Sequence, residues 1–200
     1  MATTNIWSID QAHSEISFKV RHLLISNIKG SFKKIDVSVH TNDKNFETAE
    51  IDLSIEVASI DTGDALRDEH LKSEDFFDVK NYPQITFTSN GIAKADTDGN
   101  QKLWGYLTLK GITKPVRFNV QYDGIIYDLW GNEKAGFSVT GKINRMEWGL
   151  VLNNGLETGG AMIGEDVTIS CEFDLINSTK KQLAIESAQS NNLKLINQSN

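Results

Sequence analysis

Apolar residues fall at every second position through most of this chain, and that period is the feature that most narrows what it can fold into. Ile16, Phe18 and Val20 alternate with Ser17, Lys19 and Arg21; Ile51, Leu53, Ile55 and Val57 alternate with Asp52, Ser54 and Glu56. The same beat returns at Val116, Phe118, Val120 and Tyr122, at Phe137 and Val139, and from Val167 through Ile169, Cys171, Phe173 and Leu175. On a strand, alternate side chains share a face, so each run describes one dry face and one wet face. Turn-forming residues separate the runs: Thr41 to Asp43, Asp96 to Asn100, Tyr122 to Gly124, and Gly131 with Asn132. The runs at 85–95 and 102–110 flank Asp98, Gly99 and Asn100, residues that tolerate positive φ and suit a hairpin. Many short strands joined by regular turns predict an antiparallel sandwich or barrel.

Helical signal is scarce, with a short helix around Lys180 to Ala188 an open alternative near the C-terminus. Asp64 to Lys72 offers a capping residue, early acids and a late base, which predicts two turns of helix, and Ser73 is placed to cap a further turn over residues 74–77. After Ile176 the composition changes to Ser, Asn, Gln and Lys with no aromatic residue, Gly or Pro. Residues 1–176 are therefore expected to form one domain and 177–200 a flexible polar tail.

Of the 200 residues, 39% are hydrophobic and 24% charged, the balance of an ordinary globular protein. Lys and Arg total 20 against 27 Asp and Glu, a net charge of -7 that argues against nucleic acid as a partner. No apolar run exceeds three residues, far short of the ~18 that a spanning helix needs. Residues 1–10 carry neither a basic residue nor an apolar core, so no secretory signal is expected and the cytoplasm is the expected location. A periplasmic location is the expectation if a leader has been removed.

Catalytic and metal signatures are weak. A single cysteine, Cys171, excludes an internal disulfide and any multi-cysteine metal site, and its register with Ile169 and Phe173 marks it as a core residue. His13, His22, His40 and His70 show no metal-ligand spacing, so no metal is expected. Asp96 to Asn100 opens like a calcium loop but lacks the later ligands, and Gly159 to Gly164 has neither dinucleotide nor P-loop spacing. Carboxylates at Glu74, Asp75, Asp78, Glu165 and Asp166 are explained by solvated faces and caps, and no catalytic residue is assigned. Inward apolar faces either fill a core or, in a barrel of about eight strands, enclose a small ligand.

An ordered series of local motifs goes further. Trp7 to Ile16 leads into Phe18 to Leu23, followed by Gly30-Ser31-Phe32, Ala58 to Thr62, Arg67 to Asp78, Tyr82 to Phe87 and Gly105 to Val116. Gly136-Phe137, Ile143 to Arg145, Trp148 to Leu150, Asn153 and Leu156 to Gly160 complete it. In this order the series resembles the YceI-like family of polyisoprenoid-binding proteins over residues 7–175. The resemblance implies an all-β fold: an elongated, antiparallel, lipocalin-like barrel of about eight strands with a short helical segment around residues 64–78. It implies a long-chain apolar lipid as partner, a polyisoprenoid, an isoprenoid quinone or a fatty amide, and no required cofactor beyond such a lipid. A homodimer is an open alternative, as is an enzyme acting on a lipid head group. Trp148 departs from the Phe or Tyr of many relatives.

For the lining, the inward candidates are Phe18, Val20, Phe32, Leu53, Ile55, Leu66, Phe76, Phe77, Phe87, Leu107, Phe118, Phe137, Trp148, Leu152 and Met162. For the head group they are His22, Arg67, Asp68, His70, Arg145 and Asn153, polar positions inside the motifs. Arg67 and Arg145 have a structural alternative, pairing with a carboxylate to anchor the helix or close the barrel. Removing a five-carbon isoprene unit from water is worth roughly 3–4 kcal/mol, so a few units suffice for tight binding.

Overall fold

The computed structural model describes residues 4–23, 25–97, 100–151 and 163–179. Its strands are β1 (Thr4–Ile9), β2 (Glu15–His22), β3 (Ser26–Phe32), β4 (Ile35–Asn42), β5 (Asn45–Glu56) and β6 (Ile60–Asp61). A helix, α1 (Ala65–Lys72), precedes β7 (Gln84–Ser89), β8 (Gln101–Leu109), β9 (Ile112–Tyr127), β10 (Glu133–Asn144) and β11 (Ile163–Asn177).

Every pairing is antiparallel, and the order β1-β4-β5-β7-β8-β9-β10-β11 returns to β1 through Trp7 opposite Asn177 and Ile9 opposite Leu175. Eight strands thus close into a barrel, which removes the exposed edges an open sheet would leave. β11 is long enough to hold two strands along one edge. Leu175 to Asn177 pair with β1, and Ile163 to Glu172 pair with β2, which continues into β3 and the two-residue β6.

Strands form at each run of alternation, though Val57 falls past the end of β5 in a 3-10 turn, and also at β1, β3, β4 and β6 where none was expected; the dry faces point inward, with Val37, Val39, Ile55, Phe87, Leu107, Val120 and Val139 all buried. Near the β1 end, the fully buried Trp7 donates its indole N–H to Thr41 Oγ1 at 3.1 Å and packs 5.3 Å from the Phe46 ring. Phe46 meets Phe137 edge-on at 4.9 Å, and Tyr122 stacks on Phe137 at 5.0 Å. At the seam where β1 gives way to β2, Lys134 lies 2.6 Å from Asp10 and 3.4 Å from Asp174, joining the β1–β2 turn, β10 and β11. That ammonium, with His13, holds the Asp10 carboxyl down at about 2.

Three local expectations are corrected. Tyr122 to Gly124 do not reverse the chain: Gly124 takes φ of 98° in a bulge opposite Gly136, and β9 continues to Tyr127. Asp64 caps α1 as expected, accepting from the N–H groups of Leu66 and Arg67, but Ser73 ends that helix instead of starting another. Its hydroxyl donates to the His70 carbonyl, and residues 74–77 form turns. The run at 85–95 is a strand only to Ser89, with one isolated bridge from Ile92 to Leu103. At the C-terminus, β11 runs through Asn177, and Ser178 and Thr179 bond to Ile6; residues 180–200 of the expected tail, like Asp98 and Gly99, lie outside the described residues. Among the described residues no helix is long and apolar enough to cross a membrane.

Candidate binding cavity

The inner walls do not meet. A cavity of about 180 Å³ lies along the barrel interior, bounded by side chains from β2 to β5 and β7 to β11. Its wall includes Leu103, Leu107 and Leu109 on β8, and on β11 every second residue from Val167 to Leu175. At ~3.4 Å per residue the cavity follows β8 for about 20 Å. The surface facing it is apolar throughout. Among the described residues no buried side-chain nitrogen or oxygen lacks a partner, so nothing polar waits inside for a ligand.

Glycines on the neighbouring strands hold three of the lining rings against the wall. Phe18 on β2 lies over Gly30 on β3, Phe87 on β7 over Gly105 on β8, and Phe118 on β9 over Gly141 on β10. A Cβ at any of these glycines would overlap the ring above it. Each ring therefore takes the space of a missing side chain and leaves the centre of the barrel open.

Of the residues expected to line the interior, Phe18, Phe32, Leu53, Ile55, Phe77, Phe87, Leu107, Phe118 and Phe137 do reach the wall. Val20 shares the face of Phe18 but packs between Ile28 and Val167 and does not reach it. Phe76 is buried beneath α1, edge-on to His70 at 5.4 Å. Trp148 is buried in the short 3-10 turn over residues 145–148 and donates its indole N–H to the Leu107 carbonyl at 3.2 Å, so it braces the wall from behind. Leu66 is 85% exposed, because α1 rests on the barrel without burying any of its own residues. Leu152, Asn153 and Met162 lie outside the described residues.

The expected head-group residues are not gathered at one point. Arg67 donates from Nε to Thr62 Oγ1 at 2.7 Å and from Nη2 to the Thr62 carbonyl at 2.8 Å. Asp68 accepts from the Thr62 N–H and hydroxyl at 3.0 and 2.6 Å. Both pin α1 to the end of β6. His70 is exposed, 3.8 Å from Asp75, and His22 is half-buried at the end of the β2–β3 hairpin, opposite Ile163. Arg145 alone borders the cavity. Its guanidinium is buried and donates to the carbonyls of Leu150, Ile163 (3.2 Å) and Gly164 (2.9 Å), tying together the two ends of the segment between them. Burial pushes its pKa below the usual arginine value, with Glu165 acting in the opposite sense. Of the carboxylate pairings expected as the structural alternative, Arg67 lies 3.8 Å from Asp64, while the Arg145 bonds just described go to backbone carbonyls.

Sequence reasoning missed lining residues that the same period would have supplied: Val37 and Val39 on β4, Phe46 on β5, Val120 beside Phe118, Val139 beside Phe137, and Cys171 on β11. The Cys171 thiol is pushed up to about 12 by burial. Outside the barrel, the ligand atoms of Asp10, His13 and Asp174 lie within 4.8 Å of one another, a grouping that could hold a cation. The Lys134 ammonium already bonds both of those carboxylates.

Comparison with known proteins agrees with this geometry. The YceI-like domain family matches residues 7–175. A UPF0312 protein of Staphylococcus aureus strain USA300 is 38% identical over 172 residues, covering 84% of this chain and 97% of its own. Among solved structures, Burkholderia cenocepacia BcnA superposes with a TM-score of 0.70 at 25% identity, over 83% of this chain and 98% of that one. A Campylobacter jejuni YceI protein gives 0.66 at 32% identity over 84% and 96%. A polyisoprenoid binding domain from Saccharophagus degradans, implicated in plant cell wall breakdown, shares the fold at 16% identity with a TM-score of 0.61, over 86% and 98%. With the family matched across nearly the whole barrel and the closed eight-strand fold in common, the chain belongs to the YceI-like family.

Proposed function

We propose that this protein binds and carries a long-chain apolar lipid, a polyisoprenoid, an isoprenoid quinone or a fatty amide, and performs no chemistry on it. The observation that carries this reading is the unfilled, wholly apolar cavity along the barrel. An apolar cavity of ~150 Å³ stays dry and accepts a benzene-sized guest. At about 180 Å³, this one accepts a short stretch of hydrocarbon as it stands, and a longer chain by turning the lining rings. The Saccharophagus relative, named for polyisoprenoid binding, supports the same class of guest. The wall offers little to catalysis. Arg145 spends its donors on backbone carbonyls, and a thiol pushed up to about 12 makes a poor nucleophile at neutral pH.

Solvent extraction and mass spectrometry of protein purified from its native source should yield a long-chain apolar compound in near-stoichiometric amount. Leu53→Trp, which fills the cavity from the β5 wall, should lower the bound amount about tenfold or more while strand content is retained. Tenfold is ~1.4 kcal/mol, within the ~1–3 kcal/mol that overfilling an interior costs. Recovery of no lipid from the native-source protein, or full loading of Leu53→Trp, would overturn the proposal.

A further inference from the structure

The β9–β10 hairpin reaches past the barrel and exposes large apolar side chains, of which only Tyr127 makes a side-chain hydrogen bond, donating its hydroxyl to the Glu133 carboxylate at 3.2 Å. At its tip Ile126 is 63% exposed, Tyr127 68%, Leu129 98% and Trp130 83%. Polar turn residues are the usual occupants of such a place. Here Leu129 and Trp130 sit in the five-residue loop between Tyr127 and Glu133.

Asp128 and Asn132 close the loop on itself. The Asp128 carboxylate accepts from the Trp130 N–H at 2.9 Å and the Asn132 N–H at 2.8 Å, while the N–H groups of Asp128 and Gly131 bond to the Asn132 and Asp128 carbonyls. Such a loop keeps those groups bonded where water thins out toward the acyl chains. Trp and Tyr favour that interface, where the ring is half dry and its polar edge stays wet.

We propose that this hairpin tip docks the barrel on a bilayer of zwitterionic lipids, the tip entering the headgroup layer. Charge favours that surface over an anionic one: loop residues 128–132 contain an acid and no basic residue, and the chain carries -7 overall. Area disfavours a second copy of the chain. Four side chains at these exposures offer roughly 650 Å², short of the ~800 Å² per partner of a stable dimer. A bilayer needs no matching pocket. Docking there turns the Phe137 end of the cavity toward the membrane, and its purpose rests on the lipid-carrying reading.

Co-sedimentation of the full chain with phosphatidylcholine vesicles tests the docking directly, and loading from detergent solution tests lipid binding separately. Wild type should sediment with the vesicles. Leu129→Ser with Trp130→Ser should lower partitioning about tenfold or more, consistent with the transfer cost of the lost apolar area, while detergent loading is unchanged. Failure of wild type to sediment, equal sedimentation of the variant, or a concentration-dependent dimer that the two substitutions abolish would each overturn the proposal. A loss of detergent loading in wild type would instead strike at the lipid-carrying reading and leave the sedimentation result standing.

Discussion

Asp10 shows how much a single carboxylate can hold together. It sits in the turn between β1 and β2, bonded to Lys134 and His13, and its pKa falls from 3.8 to about 2. A carboxyl depressed in the folded state stabilises the fold above its unfolded value and loses that contribution as pH falls through the folded one. The contribution is therefore complete above about pH 4 and gone below about pH 2. Asp10→Asn should cost roughly 1–2 kcal/mol at pH 7, allowing for its partial exposure. Urea unfolding of both proteins should show the difference closing as the pH is lowered to 2; a gap independent of pH would place the effect elsewhere. Nothing in the sequence around Asp10 announces this role, because Lys134 and Asp174 come from strands far along the chain. The polar candidates Arg67 and Asp68 are a similar case. Their motif marks them as important, yet only the fold reveals that their partner is Thr62.

Among the strands, ring-over-glycine pairs set the bore. At Gly141 the three atoms nearest an added methyl group all belong to the Phe118 ring, which yields by swinging toward the cavity. Gly141→Ala should leave the fold intact and reduce the amount or length of bound lipid. Gly105 differs, since a methyl group there also meets the backbone carbonyl of Thr88. Gly105→Ala should instead destabilise the barrel by about 1–3 kcal/mol. Paired thermal melts and lipid stoichiometry would separate the two, and identical behaviour would refute the assignment. Period-two alternation made the strands and most of their inward faces legible: Phe87, Leu107, Phe118 and Phe137 follow directly from it. It could not show where an inward face stops touching the cavity, as at Val20. Nor could it show that α1, though well capped at Asp64, lies outside with Leu66 in water. The pairing of Phe118 with Gly141 depends on register between strands, which local spacing does not encode.

For the molecule as a whole, closure makes the interior hard to reach. Cys171 faces the cavity, and its thiol is pushed up to about 12 by burial. At pH 8 the thiolate fraction is then ~10⁻⁴, more than about a thousandfold below that of an ordinary cysteine. Alkylation of the folded protein should be slower than that of a free thiol by about tenfold to a hundredfold or more, since the greater nucleophilicity of a high-pKa thiolate offsets part of the lost fraction, and slower again once lipid is bound. Rapid labelling of the folded protein would show that the interior opens far more readily than its packing implies. The strand pairings carry one more consequence. They close the wall where β1 meets β11, while among the described strands β6 pairs with β3 alone, so a guest leaves by an end of the tube or past that edge, and residence time is governed by how often one of them loosens. Delivery to an acceptor then becomes a question of rate before it is one of affinity, and whatever prises the rim apart decides where the cargo goes.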